Sequence, residues 1–190
     1  MNREEEQRLL RRAQQGDREA FAELYRANVQ AIFRYIAARI NDPQLAEDLT
    51  GEVFMRALQG LPSYRHEGLP WLAWLYRIAH ARIVDVYRRQ ARRPIETELD
   101  SEILAADHDM DERLHQEQTA DLLRSAITRL TDEQQQVIVL RFIEGLRVEA
   151  VAQIMGKNAN AIKALQHRAL RAIATRLEHS GLDLETLLRG

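Results

Sequence analysis

Apolar residues recur at helical spacing along almost the whole chain and no convincing period-two alternation interrupts them, so an all-α fold is predicted. A first pattern, about Glu4 to Gln15, stops at Gly16. Asp17 then caps a second helix that carries Phe21, Leu24, Tyr25, Ile32, Phe33 and Ile36 at core spacing. Asp42-Pro43 is a strong start signal: it pairs a side-chain acceptor at the cap with a proline where no amide hydrogen is required. The helix it opens runs to about Gln59, with Leu45, Leu49, Val53 and Leu58 facing inward. A loop from Gly60 to Leu69 precedes Pro70, which opens a helix rich in rings and ending in arginines: Trp71, Trp74, Tyr76, Tyr87, then Arg88, Arg89, Arg92 and Arg93.

Pro94 closes that helix, and the following stretch to about Asp111 shows no sustained period, which marks a domain boundary. Helix resumes near Glu112 and continues to about Arg129. Thr131, Asp132, Glu133 and Gln134 form a capping box that launches a helix through Val137, Leu140 and Phe142 to Gly145. Val148 to Arg171 then reads as a helix-turn-helix. Ala152 lets the two helices approach, Gly156 supplies the left-handed turn residue, and Ile162 with Leu165 anchors the second helix on Val151 and Met155. That second helix spans about Ala159 to Leu177, and Gly181 to Gly190 makes one last short helix. The expected architecture is two small helical domains, residues 1–93 and 112–190, joined by an acidic linker, 94–111.

With 190 residues of which 45% are hydrophobic, the chain can bury packed cores. It has no cysteine, which excludes disulfides and thiolate metal sites. The start Met-Asn-Arg-Glu-Glu-Glu lacks the apolar segment of a secretory signal, and no run approaches membrane-spanning length, so a soluble, cytoplasmic protein is expected. The net charge of -2 conceals a partition: residues 1–93 hold 16 basic and 12 acidic side chains, 94–117 hold 1 and 9, and 118–190 hold 10 and 8. The acidic block is either a solvated tether or a mimic of nucleic acid that occupies a basic channel in a partner.

No acid lies between Lys157 and Arg176, and the second helix leaves Asn160, Lys163, Gln166, His167 and Arg171 outside its apolar face. Such a surface suits phosphates and the acceptor-rich edges of bases in the major groove, against the plainer reading of an idle basic helix. The aromatic helix also admits two readings. Trp71, Trp74, Leu75 and Ile78 fit a core, while Tyr64, Arg65, Tyr76, His80, Arg82, Tyr87 and Arg88 interleave rings with cations as a single-strand site would. Glu47, Asp48 and Glu52 are a solvated face or a functional one. No helical His stands at ligand spacing beside them, the six His are scattered, and no Gly-rich phosphate loop exists, so neither an enzyme nor a metal or cofactor site is expected.

Taken in order, these pieces resemble an extracytoplasmic-function sigma factor of the sigma-70 family of bacterial transcription initiation factors. Gly16-Asp-Arg-Glu-Ala-Phe-Ala-Glu-Leu-Tyr25 resembles the opening of sigma region 2, Asp42-Pro43 through Phe54 its polymerase-binding helix, and Trp74 through Arg89 its promoter-melting helix. Leu130 to Arg171, with Arg141-Phe-Ile-Glu-Gly-Leu146, resembles region 4. The resemblance implies that Glu47, Asp48, Leu49, Glu52 and Phe54 bind core RNA polymerase at the clamp helices of its largest subunit. It implies that Ser63, Tyr64, Arg65, His66, His80, Arg82, Tyr87 and Arg88 hold the non-template strand of the minus-ten promoter element. Asn160, Lys163, Gln166, His167 and Arg171 would read the minus-thirty-five element as duplex DNA. An anti-sigma factor is a further expected partner. The alternative is a free-standing helix-turn-helix repressor whose amino-terminal helices bind a ligand or a second copy of the chain. Against the family pattern, Ala81 stands where an Asn is common, Gly51 where a Gln is common, and Lys157 where many such motifs place an apolar residue.

Overall fold

Helix boundaries follow the capping chemistry closely. In the computed structural model, which describes residues 1–65, 70–92 and 125–179, α1 (Arg3–Gln14) begins where the Asn2 side chain accepts the Glu5 amide hydrogen at 2.8 Å. Its first turn is acidic and its last basic, in line with the helix dipole. The chain reverses at Gly16, whose φ of 91° is a left-handed conformation that costs glycine nothing. Asp17 caps α2 (Arg18–Ala37) through the Ala20 amide at 3.1 Å and holds Arg12 at 2.7 Å. Asp42 caps α3 (Pro43–Gly60) through Leu45, and a short 3-10 turn (Leu61–Ser63) leads toward α4 (Trp71–Arg92). These four helices enclose Leu24, Ile32, Tyr35, Ile36, Val53, Trp71, Leu75 and Ile83. Each fully buried aliphatic or aromatic side chain contributes about 1.5–3 kcal/mol.

The second half begins with a helical turn at residues 125–128 and continues into α5 (Asp132–Ile138), where the Gln134 side chain accepts the Thr131 amide hydrogen at 3.1 Å. The helix then widens into a π turn (Val139–Ile143), seen in the Glu144 amide reaching back to the Val139 carbonyl at 3.0 Å. The helix-turn-helix pair follows as α6 (Val148–Met155) and α7 (Ala159–His179), with Gly156 between them at φ 64°. Val151 and Ile162 are wholly buried at their crossing, and Leu165, Ala169, Ile173 and Leu177 continue the inner stripe of α7. All described helices are α-helices apart from the 3-10 and π turns, and no strand occurs among the described residues.

Three expected core positions turn outward. Tyr25 is 41% exposed because the inner stripe of α2 runs Ala20, Leu24, Asn28, Ile32 at intervals of four, which leaves Tyr25 about 100° round the helix. Leu58 is 45% exposed because the inner stripe of α3 runs Leu49, Val53, Ala57 at intervals of four, which leaves Leu58 about 100° round the helix. Phe142 is 53% exposed because the π turn inserts an extra residue and shifts the register of everything after Ile138. The expected linker, the helix before residue 125 and the last short helix lie outside the described residues. The two halves touch: α4 packs against α6, and α2 packs against the π turn.

Candidate nucleic-acid interface

On α7, Asn160, Lys163, His167, Arg168 and Arg171 are all exposed and share one face at spacings of three and four, opposite the buried stripe. Asn158 caps the helix by accepting the Ala161 amide hydrogen at 2.8 Å, so the amino-terminal turn of α7 is held without a side chain from Ala159 or Ala161. Gln166 is set back: its amide oxygen accepts from Arg141 at 3.1 Å, and this bond fixes it at the margin of the face. Arg168, not among the residues expected on this face, adds a cation to the same surface. Lys157 is drawn away to Glu133 at 2.8 Å.

On α3, Glu47, Asp48 and Glu52 are exposed on one ridge, and Met55 (58% exposed) and Leu58 continue it. The ridge has an acidic end and a small apolar end, a combination that suits contact with another protein. Leu49 and Phe54 lie beneath it, 3% and 4% exposed; the Phe54 ring meets Tyr25 edge-on at 4.7 Å. They shape the ridge from below.

The residues expected to hold a single strand are divided. Ser63, Arg65 and Arg88 are exposed, and His66 lies outside the described residues. Tyr64 is buried in a ring cluster with Trp71 and Trp74, and this burial pushes its phenol up to about 12. Gly60 makes the cluster possible, since a Cβ there would meet the Trp74 ring at 3.1 Å. Arg82 is 8% exposed and paired with Asp85. Tyr87 is half-buried, its hydroxyl donating to the Arg39 carbonyl. Tyr76 is buried, donating to Glu144 at 2.9 Å, and burial with that neighbouring charge pushes its phenol well above the ordinary range.

His80 belongs to a polar network that joins the two halves. Arg39, with no side-chain exposure at all, donates to the Tyr35 hydroxyl at 2.8 Å, to Gln135 at 3.3 Å and to Asp132. It also meets His80 Nδ1 at 3.1 Å. A guanidinium only donates, so Nδ1 must be the acceptor and the imidazole proton sits on Nε2, which faces Asp132 at 3.3 Å. Burial holds this imidazole below its ordinary 6.5; Arg39 adds to the depression, and the Asp132 and Glu133 charges oppose it. Elsewhere at the junction, Arg34 forks onto Glu144 at 2.9 and 3.1 Å, and Arg77 donates to the Ile154 and Gln153 carbonyls at 3.0 and 2.6 Å. None of Arg34, Arg39, Arg77, Asp132 or Glu144 stood out as a site residue in the sequence, where no local pattern connects positions this far apart.

Among the described residues no cluster of His, Asp and Glu could hold a metal ion, and no helix is long and apolar enough to cross a membrane. A helix-turn-helix with an acid-free outer face, beside a helical unit that displays an acidic ridge, defines a two-part DNA-binding transcription regulator. Residues 24–93 match the family model for sigma-70 region 2, and residues 120–173 match that for sigma-70 region 4. The chain is 38% identical over 170 residues to the ECF RNA polymerase sigma factor BldN of Streptomyces coelicolor. That match covers 87% of this chain and 63% of BldN, so the chain spans less than two thirds of that relative. It is 31% identical over 155 residues to the RNA polymerase sigma factor YlaC of Bacillus subtilis, covering 80% of this chain and 88% of YlaC. In fold it is similar to the sigma factor RpoE solved with the anti-sigma factor NepR from Bartonella quintana. The TM-score is 0.62 at 21% identity, over 83% of this chain and 96% of that one. The chain belongs to the sigma-70 family, in its extracytoplasmic-function group, and is an alternative sigma factor that directs transcription initiation.

Proposed function

We propose that Glu47, Asp48 and Glu52, with Met55 and Leu58 beside them, dock the factor on the clamp helices of core RNA polymerase. Leu49 and Phe54 support that ridge from within. Asn160, Lys163, His167 and Arg171, with Gln166 at the margin, then read the upstream promoter element in the major groove. Ser63, Tyr64, Arg65, His66, His80, Arg82, Tyr87 and Arg88 line or support the path of the melted non-template strand. The factor catalyses no reaction and works in the cytoplasm on the polymerase and promoter. Its domains are residues 1–93 and 112–190, and 94–111 thread the polymerase between them. An anti-sigma factor is the further partner, by likeness to RpoE, whose solved structure holds one.

The observation that carries this reading is the pairing of two opposite surfaces in one chain: an acidic ridge on α3 and an acid-free face on α7. Energetics fit a factor that helps to melt DNA without an energy source. Opening duplex costs about 1.4 kcal/mol per stacked step, and each base captured on a ring returns about 1–3 kcal/mol. A few captured bases offset a short bubble. The repressor alternative is disfavoured by family membership and by rings that fill a core instead of lining a ligand cavity. The test is reconstitution with sigma-free core polymerase, following co-elution and promoter-dependent RNA. The wild-type chain co-elutes and starts transcripts, while Glu47→Lys with Asp48→Lys loses both. Unchanged polymerase affinity after that double reversal would remove the docking assignment.

A further inference from the structure

A wholly buried guanidinium requires a counter-charge, because desolvating an unpaired charge costs several kcal/mol. Within its own half Arg39 finds only neutral partners, the Tyr35 hydroxyl and the His80 imidazole. Among the described residues its one paired carboxylate is Asp132, which comes from the other half of the chain. One Asp132 oxygen lies against Arg39 and the other faces His80 Nε2 at 3.3 Å, so a single anion bridges two nitrogen donors on two different helical segments. The second junction repeats the pattern. Glu144, its side chain 3% exposed, is held by the Arg34 fork and the Tyr76 hydroxyl. In both places the carboxy-terminal half supplies the anion and the amino-terminal half the cation.

This arrangement cannot persist at a promoter. On the reading above, α4 serves the minus-ten element and α7 the minus-thirty-five element, which by their designations lie about 25 base pairs apart, roughly 85 Å of duplex at about 3.4 Å per pair. In the closed chain, α4 and the helix-turn-helix are in hydrogen-bond contact, through Arg77 on the carbonyls of α6. When region 4 departs, Asp132 leaves with it. Arg39 and His80 are then uncovered next to Tyr87, whose hydroxyl is fixed on the Arg39 carbonyl.

We propose, resting on the sigma-factor reading above, that Arg39 and His80 form a cryptic phosphate site for the melted strand, and that Asp132 occupies it as a stand-in for phosphate while the protein is free. The site is bidentate and lies between the end of α2, which supplies Arg39, and the middle of α4, which supplies His80. Arginine suits it, since its fork matches two oxygens of one phosphate. The same contact that keeps the halves together therefore keeps the factor from gripping single strands before polymerase opens it.

The experiment uses the full chain and a short fluorescein-labelled oligothymidylate, with binding read by anisotropy and domain separation by small-angle X-ray scattering. Removing both anions, Asp132→Ala with Glu144→Gln, is expected to expand the protein. Oligothymidylate affinity then rises about tenfold, as the binding-competent fraction rises. The salt slope steepens by about 0.7 for one added phosphate contact. Adding Arg39→Gln cancels the gain, Arg39→Lys keeps part of it, and His80→Ala loses part of it, with helical circular dichroism confirming that each variant is folded. Expansion without tighter binding, a gain that survives Arg39→Gln in a folded protein, or no expansion at all would each overturn the proposal. Core polymerase co-elution, run in parallel, separates the two claims: a wild-type chain that fails there loses the sigma reading, whatever the oligothymidylate result.

Discussion

Arg77 offers a direct measure of how firmly the two halves hold each other. Its guanidinium reaches across the junction to the Gln153 and Ile154 carbonyls at the end of α6, at 2.6 and 3.0 Å. Those carbonyls belong to the last turn, where a helix lacks internal partners and its dipole is negative. Buried hydrogen bonds to a charged group are worth about 1.5–3 kcal/mol each, whereas a cation at an exposed helix end is worth about 0.3–1 kcal/mol. Arg77 is an exposed residue, which argues for the lower part of that range. Truncation in Arg77→Ala should therefore cost the closed form about 1–2 kcal/mol, a factor of about 5–30 in the ratio of closed to open molecules. The chain contains no cysteine, so Gln59→Cys and Leu170→Cys, both at exposed positions, give a dye pair with no background labelling. Energy transfer in the free protein should fall in Arg77→Ala and fall less in Arg77→Lys, which keeps the charge but not the fork. Transfer unchanged in the alanine variant would refute the role assigned to these two bonds.

Acidification should loosen the same junction. The closed state holds His80 below its ordinary 6.5, so the open state binds the proton more readily, and closure is at full strength above about 6.5 and weakens as pH falls through that value. The groups facing His80 are Arg77 on its own helix, Arg39 at the end of α2, Asp132 and Glu133 on α5, and Lys157 in the turn. Energy transfer that stays flat between about pH 8 and pH 5 would contradict this. Two glycines should respond oppositely to alanine. Gly156→Ala places a side chain at φ 64° and costs about 1–2 kcal/mol. Gly51→Ala sits within α3, where an added Cβ meets nothing within 4 Å, and gains about 1 kcal/mol. Shifts of the same sign in thermal unfolding would refute that contrast.

What could be read from the sequence was local. Asp17, Asp42 and Gly156 announce helix ends because a cap or a left-handed residue acts within four positions, and the structure uses each as such. Helical periodicity gave the inner faces of α2 and α7, but it misplaced Tyr25, Leu58 and Phe142. At Leu58 the smaller Ala57 holds the inner position, and at Phe142 the period itself changes. The exposed residues of α3 and α7 were legible as charge on the face opposite an apolar stripe. The α4 surface was less so: a pattern of rings and cations does not reveal that Tyr64 and Tyr76 are buried, or that Arg82 already has Asp85. Arg39 meets Asp132 across 93 positions, and Arg77 meets main-chain oxygens, which have no residue identity to read.

The π turn at Val139–Ile143 carries a consequence out of proportion to its five residues. By inserting one position into the helical path it rotates the following segment by about 100°, which sends the Glu144 carboxylate toward Arg34 and leaves Phe142 and Ile143 on the outside. Phase, more than composition, thus decides which side chain greets the neighbouring domain: the same residues wound as a regular α-helix would direct a different group there.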